Sequence, residues 1–306
     1  MKLSNGGRIL YLVVGALVIS LMAVGLAGCG GDDRTITVGS STFSEPWILA
    51  EVAAILLEDA GFEVEHIRGF QGAALQHSAM IGGELDIYVS WTGTQFTGIL
   101  EMEVTEEWRD RDRVYDYVYE QFNDRYDQTW SPTLGFNNTY ILAVRRSFAE
   151  EHNLETSSDL RELAPDLVIG MDPTFPERIG DGYSDMLEHY DFEFAEGASM
   201  EYGLMYRAVA EGDVDVAVAY STDGRIITMD LKILEDDLGF FPPYDGALVI
   251  DNETLEEHPE IMDILAPMWG AFDEDVMGEL NARVDVHEEE YDDVARDFVE
   301  EMGWID

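Results

Sequence analysis

Gly83-Glu-Leu-Asp-Ile-Tyr-Val-Ser-Trp-Thr92 aligns without gaps with Gly212-Asp-Val-Asp-Val-Ala-Val-Ala-Tyr-Ser221. Each copy consists of a glycine that ends a helix, an acidic turn, an apolar strand, an aromatic residue and a hydroxyl residue. The copies lie about 130 residues apart, which is much longer than the repeat of a solenoid or a propeller. This internal echo therefore predicts two similar α/β lobes rather than a repeat array.

The segments around the echo alternate between strand-like and helix-like patterns. Thr35–Val38 has the composition of a strand, and Ser44 is predicted to cap a helix that ends at Gly61. Strands that alternate with helices predict mainly parallel sheets covered by helices. Ligands bind beyond the carboxyl ends of such strands, which places Trp91 and Tyr220 at the mouths of the two lobes. Strand-end aromatics that only pack against loops would give the same pattern, so this argument alone leaves their role open.

The chain is strongly acidic. Its 306 residues include 64 Asp and Glu against 17 Lys and Arg, for a formal net charge of −47. Nucleic-acid binding is excluded, because that affinity comes mainly from Lys and Arg. The sequence is 46% hydrophobic and 11% aromatic, so the chain is expected to fold despite its charge. Acidic residues spread this densely repel one another unless concentrated salt screens them, which predicts a high-salt organism.

The N-terminus has the pattern of an export signal. Residues 1–28 carry two basic residues, no acidic one and a long apolar run that ends in small residues. The single cysteine, Cys29, follows in Leu-Ala-Gly-Cys, which resembles a lipobox. We therefore predict a lipoprotein signal peptide at 1–28, lipidation of Cys29 and a tether at 29–33. A plain transmembrane anchor is the alternative. Both place the remaining chain outside the cytoplasmic membrane.

Seven stretches together resemble one family. They are Val38-Gly-Ser-Ser-Thr-Phe-Ser-Glu45, Trp91-Thr-Gly-Thr94, Leu134-Gly-Phe-Asn-Asn-Thr-Tyr140, Glu177-Arg178 with Asp181-Gly-Tyr183, Gly203-Leu-Met-Tyr206, Ser221-Thr-Asp-Gly-Arg225 and Phe241-Pro-Pro-Tyr244. From about Thr35 to Trp304 the chain resembles the substrate-binding proteins of osmoprotectant ABC transporters, which bind glycine betaine, carnitine or choline. The resemblance implies an α/β, type II periplasmic-binding-protein fold with two lobes, two chain crossovers and a ligand cleft. Lobe 1 is expected at 34–138 plus 245–306, and lobe 2 at 139–244.

The resemblance also implies how the cationic end of the ligand is held. A quaternary ammonium has no N–H to donate, so an aromatic cage must select it through cation–π attraction. Matching the family's cage residue by residue assigns this role to Trp91, Tyr140, Tyr220 and Tyr244. The family commonly has tyrosine where this chain has Trp91, and tryptophan is an acceptable, even stronger, cation–π partner.

The same match assigns Arg178, Thr94 and Ser41 to the carboxylate pole of the ligand. The planar fork of Arg178 suits a carboxylate, and a salt bridge to Glu177 or Asp181 is the alternative. The family commonly has lysine where this chain has Ser41, so one positive donor is missing. Choline, which has no carboxylate, therefore remains an alternative to glycine betaine.

The sequence predicts a monomeric, lipid-anchored, extracytoplasmic binding protein. Its expected ligand is a quaternary-ammonium compatible solute, with glycine betaine first and choline or another cationic solute as the alternative. Its expected partner is an ABC permease with a separate ATPase subunit. Two rival classes are a ligand-sensing subunit of a signalling system and an enzyme on the same fold. The sequence lacks a histidine pair with metal-site spacing, a nucleophile elbow and a phosphate loop, so we predict no enzyme activity, cofactor or metal.

Overall fold

The structure, a computed structural model, describes residues 34–305 except Thr174, Ile179 and the side chain of Tyr202. The predicted signal peptide, the tether and Cys29 lie outside this described part. Within residues 34–305, none of the helices combines the length and the apolar character that a membrane span requires.

The described residues form ten strands in two sheets. In chain order the strands are β1 (Thr35–Ser40), β2 (Glu63–Arg68), β3 (Ile87–Trp91), β4 (Gln128–Trp130), β5 (Tyr140–Arg145), β6 (Val168–Met171), β7 (Glu196–Ser199), β8 (Val216–Tyr220), β9 (Leu231–Leu234) and β10 (Gly246–Asp251). The first sheet has the order β2-β1-β3-β10-β4 and the second the order β7-β6-β8-β5-β9.

Twelve α-helices lie in the same described residues. They are α1 (Ser44–Asp59), α2 (Ala73–Ile81), α3 (Thr92–Gly98), α4 (Arg111–Tyr126), α5 (Arg146–His152), α6 (Tyr183–Tyr190), α7 (Tyr202–Glu211), α8 (Gly224–Thr228), α9 (Asn252–Glu257), α10 (Ile261–Ile264), α11 (Glu274–Asp285) and α12 (Tyr291–Glu301). Ser44 begins α1 but does not cap it. The N-cap is Phe43, which makes no side-chain cap, and the Ser44 hydroxyl instead donates to the Asp285 carboxylate.

The two echo strands, β3 and β8, occupy the centre of their sheets. Each pairs in parallel with one neighbour, β1 or β6, and antiparallel with the other, β10 or β5. The two sheets thus repeat one topology, which confirms the predicted two-lobe α/β fold. The sheets are mixed rather than mainly parallel, because β5 and β10 enter from the other lobe instead of through a helical crossover within their own sheet.

Apolar side chains of the echo strands alternate between the two faces of each sheet. In β3, Ile87 and Val89 pack into one buried cluster with α1, while Tyr88 packs into another on the opposite face with α4. In β8, Val216 and Ala217 separate in the same way into two clusters. Each sheet is therefore covered on both faces, which explains why the echo strands are almost entirely apolar.

The aspartate in each copy of the echo accepts a hydrogen bond from a backbone N–H of the neighbouring strand. Asp86 Oδ2 accepts a hydrogen bond from the backbone N–H of Thr37 at 2.7 Å. Asp215 Oδ2 accepts one from the backbone N–H of Val168 at 2.9 Å. The acidic turn recurs because it satisfies a backbone donor at the same place in both lobes.

The hydroxyl residue that ends each copy holds one of the two chain crossovers. Thr92 Oγ1 accepts from the backbone N–H of Asp245 at 3.0 Å. Ser221 Oγ accepts from the backbone N–H of Thr139 at 3.0 Å and donates to the carbonyl of Asn137 at 2.6 Å. The crossovers also pair with each other through an antiparallel bridge between Asn137 and Asp245. The echo therefore places its two aromatic residues directly beside the segments that join the lobes.

Candidate functional site

A cavity of about 240 Å³, hereafter the small cavity, lies at the carboxyl ends of β3 and β8. Five of the seven predicted ligand-binding residues line it, and two of these, Trp91 and Tyr220, end strands of the two different sheets. The lining residues are Ser41, Phe43, Gly72, Ala73, Gln76, Ser90, Trp91, Thr94, Asn138, Tyr220 and Tyr244. The structure thus brings together side chains that are separated by up to about 200 positions in the sequence.

Aromatic rings form much of the wall of the small cavity. Phe43, which sequence reasoning missed, stacks on Trp91 with ring centroids 5.3 Å apart and is 44% exposed. Tyr244 lies against Gly93, where an added Cβ would come within 2.8 Å of the tyrosine ring and 2.5 Å of the Pro243 carbonyl oxygen. Glycine at position 93 therefore allows Tyr244 to approach the strand end.

Tyr140 packs against Tyr220 but does not line the small cavity itself. The antiparallel register of β5 and β8 pairs the two residues directly, and their ring centroids are 4.7 Å apart. The Tyr220 hydroxyl donates to the Tyr140 hydroxyl at 3.0 Å. Tyr140 is buried and is absent from the residues that line the small cavity. Its contact with that cavity is made through Tyr220.

Arg178 lies next to the tyrosines rather than in the cavity wall. Its Nε and Nη2 donate to the Asp181 carboxylate, and Nη2 also donates to the Tyr244 hydroxyl at 3.0 Å. Its guanidinium carbon lies 5.1 Å from the centroid of the Tyr140 ring. The salt bridge that the sequence left as an alternative is therefore present, together with contacts to two residues of the predicted cage.

Burial keeps the tyrosines of the site neutral, whereas Arg178 stays charged. Burial raises the pKa of Tyr244 to about 12 and raises the pKa of Tyr140 and Tyr220 above the ordinary value. For Arg178, burial opposes the charge, but the hydrogen bond and attraction of Asp181 prevail and raise its pKa. At neutral pH the rings are uncharged phenols with intact π faces.

Glu45 is a second residue that sequence reasoning missed. It lies in the first turn of α1 and is 2% exposed. Its Oε1 accepts hydrogen bonds from Trp91 Nε1 at 3.1 Å and Asn138 Nδ2 at 2.9 Å. Its Oε2 accepts from Thr222 Oγ1 at 2.7 Å and Asn281 Nδ2 at 3.0 Å. One carboxylate thus connects a cavity wall, a crossover, the end of β8 and α11.

The Glu45 carboxylate is held by neutral donors. In the described part of the chain, the ion pairs within 4 Å include none to Glu45. Burial raises the pKa of Glu45, and its four hydrogen bonds oppose that rise. Glu45 is thus a buried carboxylate with no cation beside it, and one of its oxygens accepts a hydrogen bond from the Trp91 ring. It therefore makes the surroundings of the small cavity electronegative.

A larger cavity of about 930 Å³, hereafter the large cavity, adjoins the small one. The two share Phe43, Asn138 and Tyr220. Its lining residues with a carboxylate or guanidinium group are Glu45, Asp172, Glu201, Asp223, Arg225 and Asp285. This excess of carboxylates attracts cations toward the small cavity. Among residues 34–305, no group of three or more His, Cys, Asp or Glu side chains is arranged to hold a metal ion.

Residues 34–301 match the family described as the substrate binding domain of ABC-type glycine betaine transport systems. The chain belongs to this family. It is 36% identical to the carnitine transport binding protein OpuCC of Listeria monocytogenes, over 94% of this chain and 93% of the relative. It is 32% identical to the glycine-betaine-binding protein of Pseudomonas aeruginosa, over 94% of this chain and 92% of the relative.

The solved structures agree with this assignment. A crystal structure of a glycine betaine/carnitine/choline ABC transporter superposes with a TM-score of 0.85 at 33% identity, over 89% of this chain and 100% of that chain. The resemblance inferred from the sequence is therefore confirmed, as is the prediction that the protein is not an enzyme. Members of this family are extracytoplasmic proteins that bind small ligands and deliver them to an ABC permease.

Proposed function

We propose that this protein captures a quaternary-ammonium compatible solute, with glycine betaine as the preferred ligand, for osmoprotective uptake. The observation that supports this most directly is the meeting of Trp91, Tyr220 and Tyr244 around one cavity of about 240 Å³. Ring faces attract the diffuse charge and the methyl groups of a trimethylated nitrogen, which hydrogen bonds cannot select. Tyr140 completes the cage by holding Tyr220 in place.

The carboxylate of glycine betaine is proposed to bind opposite the rings. Ser41 and Thr94 line the small cavity, and Arg178 contacts it through the Tyr244 hydroxyl. We assign 34–138 plus 245–306 to one lobe and 139–244 to the other, and we propose that they close over the ligand. Closure brings Arg178, from the second lobe, toward the carboxylate that Ser41 and Thr94 hold from the first.

Choline or another cationic solute is the second candidate ligand. The acidic lining of the large cavity favours it, since a net cation gains more from these carboxylates than a zwitterion does. A third candidate is a ligand-sensing role in a signalling system, which would use the same cavity but a different partner.

Calorimetric titration of the purified protein in concentrated salt tests this proposal. We expect glycine betaine to bind with a dissociation constant of about 10 μM or lower, equivalent to about −7 kcal/mol. Carnitine and choline are measured beside it, and proline, which lacks a quaternary ammonium, is the negative control. If the folded protein bound none of the quaternary amines, the proposal would be rejected and the sensor role would become the favoured alternative.

The protein is further proposed to be a monomer, lipidated at Cys29 after removal of residues 1–28 and anchored to the outer face of the cytoplasmic membrane. It would dock on a permease whose ATPase is a separate subunit. The net charge of −47 supports a high-salt habitat.

Salt is expected to stabilise the fold strongly. Raising KCl from about 0.1 M to about 3 M shortens the Debye length to a few Å and screens the repulsion between carboxylates. We expect the midpoint of thermal unfolding to rise by roughly 10 °C or more, as measured by circular dichroism. Sucrose of equal osmolality controls for solvent exclusion. A midpoint that responds equally to sucrose and to KCl would contradict the halophilic assignment.

A further inference from the structure

Gln76 carries a buried hydrogen-bond donor that has no partner in the described part of the chain. The residue lies in the first turn of α2, lines the small cavity and is 1% exposed. Its Nε2 atom makes no hydrogen bond, whereas its Oε1 accepts from Ser41 Oγ at 3.4 Å. Buried amide groups are nearly always paired, so an unpaired one at a cavity wall points to a ligand acceptor.

The N-terminus of α2 faces the same cavity and is also uncapped. Gly72, the N-cap residue, and Ala73 both line the small cavity. Gly72 has a φ of 92°, a conformation that favours glycine, and no side chain caps the helix or places an acid in its first turn. Free backbone N–H groups and the helix dipole make such an end attractive to a carboxylate.

The other polar groups on this wall do not replace these donors. Among the described residues that line the small cavity, none is lysine or arginine. The Ser41 hydroxyl is directed at the Phe70 carbonyl oxygen, 3.3 Å away, and at Gln76 Oε1. Ser41 therefore also positions the Gln76 amide, so Gln76 and the helix end add donors to the wall where Ser41 and Thr94 are proposed to hold the carboxylate.

We infer that Gln76 Nε2 and the uncapped N-terminus of α2 bind the carboxylate of a betaine-type ligand. Gln76 would then make the protein prefer zwitterionic ligands to simple cations. This inference rests on the proposed function. Neutral donors suit such a site, because they attract a carboxylate without placing a full positive charge beside the quaternary ammonium that the rings hold.

Two substitutions at Gln76 test the inference with glycine betaine and tetramethylammonium as probes. Tetramethylammonium has the same cationic group but no carboxylate. Gln76→Met removes the donor at similar length, and we expect it to weaken betaine about tenfold while changing tetramethylammonium less than about twofold. Gln76→Glu keeps the shape and adds a negative charge, and we expect it to weaken betaine by about a hundredfold without weakening tetramethylammonium.

Dissociation constants come from titration calorimetry, with tetramethylammonium measured as a competitor of betaine where its own heat is too small. Gln128→Met is the matched control, because Gln128 is another buried glutamine with an unpaired Nε2 but lies outside both cavities. It is expected to leave the ratio of the two constants unchanged.

Equal effects of the Gln76 substitutions on both probes, or no effect on betaine, would overturn the assignment of Gln76 and leave the proposed function standing. If the folded wild-type protein bound neither probe, the proposed function would fail, and the inference would fail with it.

Discussion

Tyr220→Ala is expected to weaken glycine betaine binding by at least tenfold, and by up to about a hundredfold. The substitution removes one ring of the proposed cage, and a desolvated cation–π contact contributes about 2 kcal/mol. It also removes the hydroxyl that donates to Tyr140 and opens the boundary between the small and large cavities, both of which Tyr220 lines. Titration calorimetry in concentrated salt measures the change.

Two further variants distinguish the effect of the Tyr220 ring on binding from the effect of its hydroxyl and from a general loss of stability. Tyr220→Phe keeps the π face and removes the neutral hydrogen bond to the Tyr140 hydroxyl, and it is expected to stay within about threefold of the wild type. Tyr119→Ala removes an exposed tyrosine of α4 that lines neither cavity, and it is expected to leave binding unchanged. A loss as large in Tyr220→Phe as in Tyr220→Ala would show that the hydroxyl, rather than the ring, carries the effect.

The echo predicted the two similar lobes because its residues make contacts with segments directly beside them. The acid of each copy bonds to the adjacent strand, and the hydroxyl bonds to a crossover, so Asp86 and Thr92 have the same neighbours in one lobe as Asp215 and Ser221 have in the other. Local pattern and tertiary environment agree, which is the condition under which sequence reasoning succeeds.

The short edge strands could not be predicted in this way. β4, β7 and β9 have three or four residues each, which is too short to show alternation, and they depend on pairing with a distant strand. The antiparallel placement of β10 and β5 has the same origin, because it follows from chain crossovers that no local pattern records.

The site was predicted only where a family motif or the echo marked it. Phe43, Glu45 and Gln76 belong to the site geometry, but their roles depend on residues that the fold brings close from elsewhere in the chain. Glu45 reaches Thr222 across 177 positions and Asn281 across 236. Among 64 acidic residues, one buried carboxylate has no distinguishing pattern in the sequence.

Glu45→Ala is expected to have the second large effect, because it leaves four buried hydrogen-bond donors without their acceptor. We expect the free energy of unfolding to fall by about 3 kcal/mol or more, since each buried unpaired polar group costs about 1–3 kcal/mol and part of the loss is recovered by removing a buried charge. Urea unfolding at fixed KCl measures it, because guanidinium would itself screen the acidic surface. Glu58→Ala, an exposed glutamate of the same helix, is the control and is expected to change stability by less than about 0.5 kcal/mol.

The pH dependence of Glu45→Gln then tests whether burial or hydrogen bonding dominates at this carboxylate. Burial raises the pKa of Glu45 in the folded state, so the folded protein holds that proton more tightly than the unfolded chain does. The resulting stabilisation is present below the ordinary pKa of glutamate and is lost as the pH rises through the raised value. Glutamine does not titrate, so the advantage of the wild type over Glu45→Gln should be larger at about pH 4.5 than at about pH 7.5. An advantage that grows with pH would mean that the four neutral donors lower the pKa of Glu45 more than burial raises it. The carboxylate would then join Trp91 to Thr222 as a stable anion, which is the state that best attracts a cation to the rings.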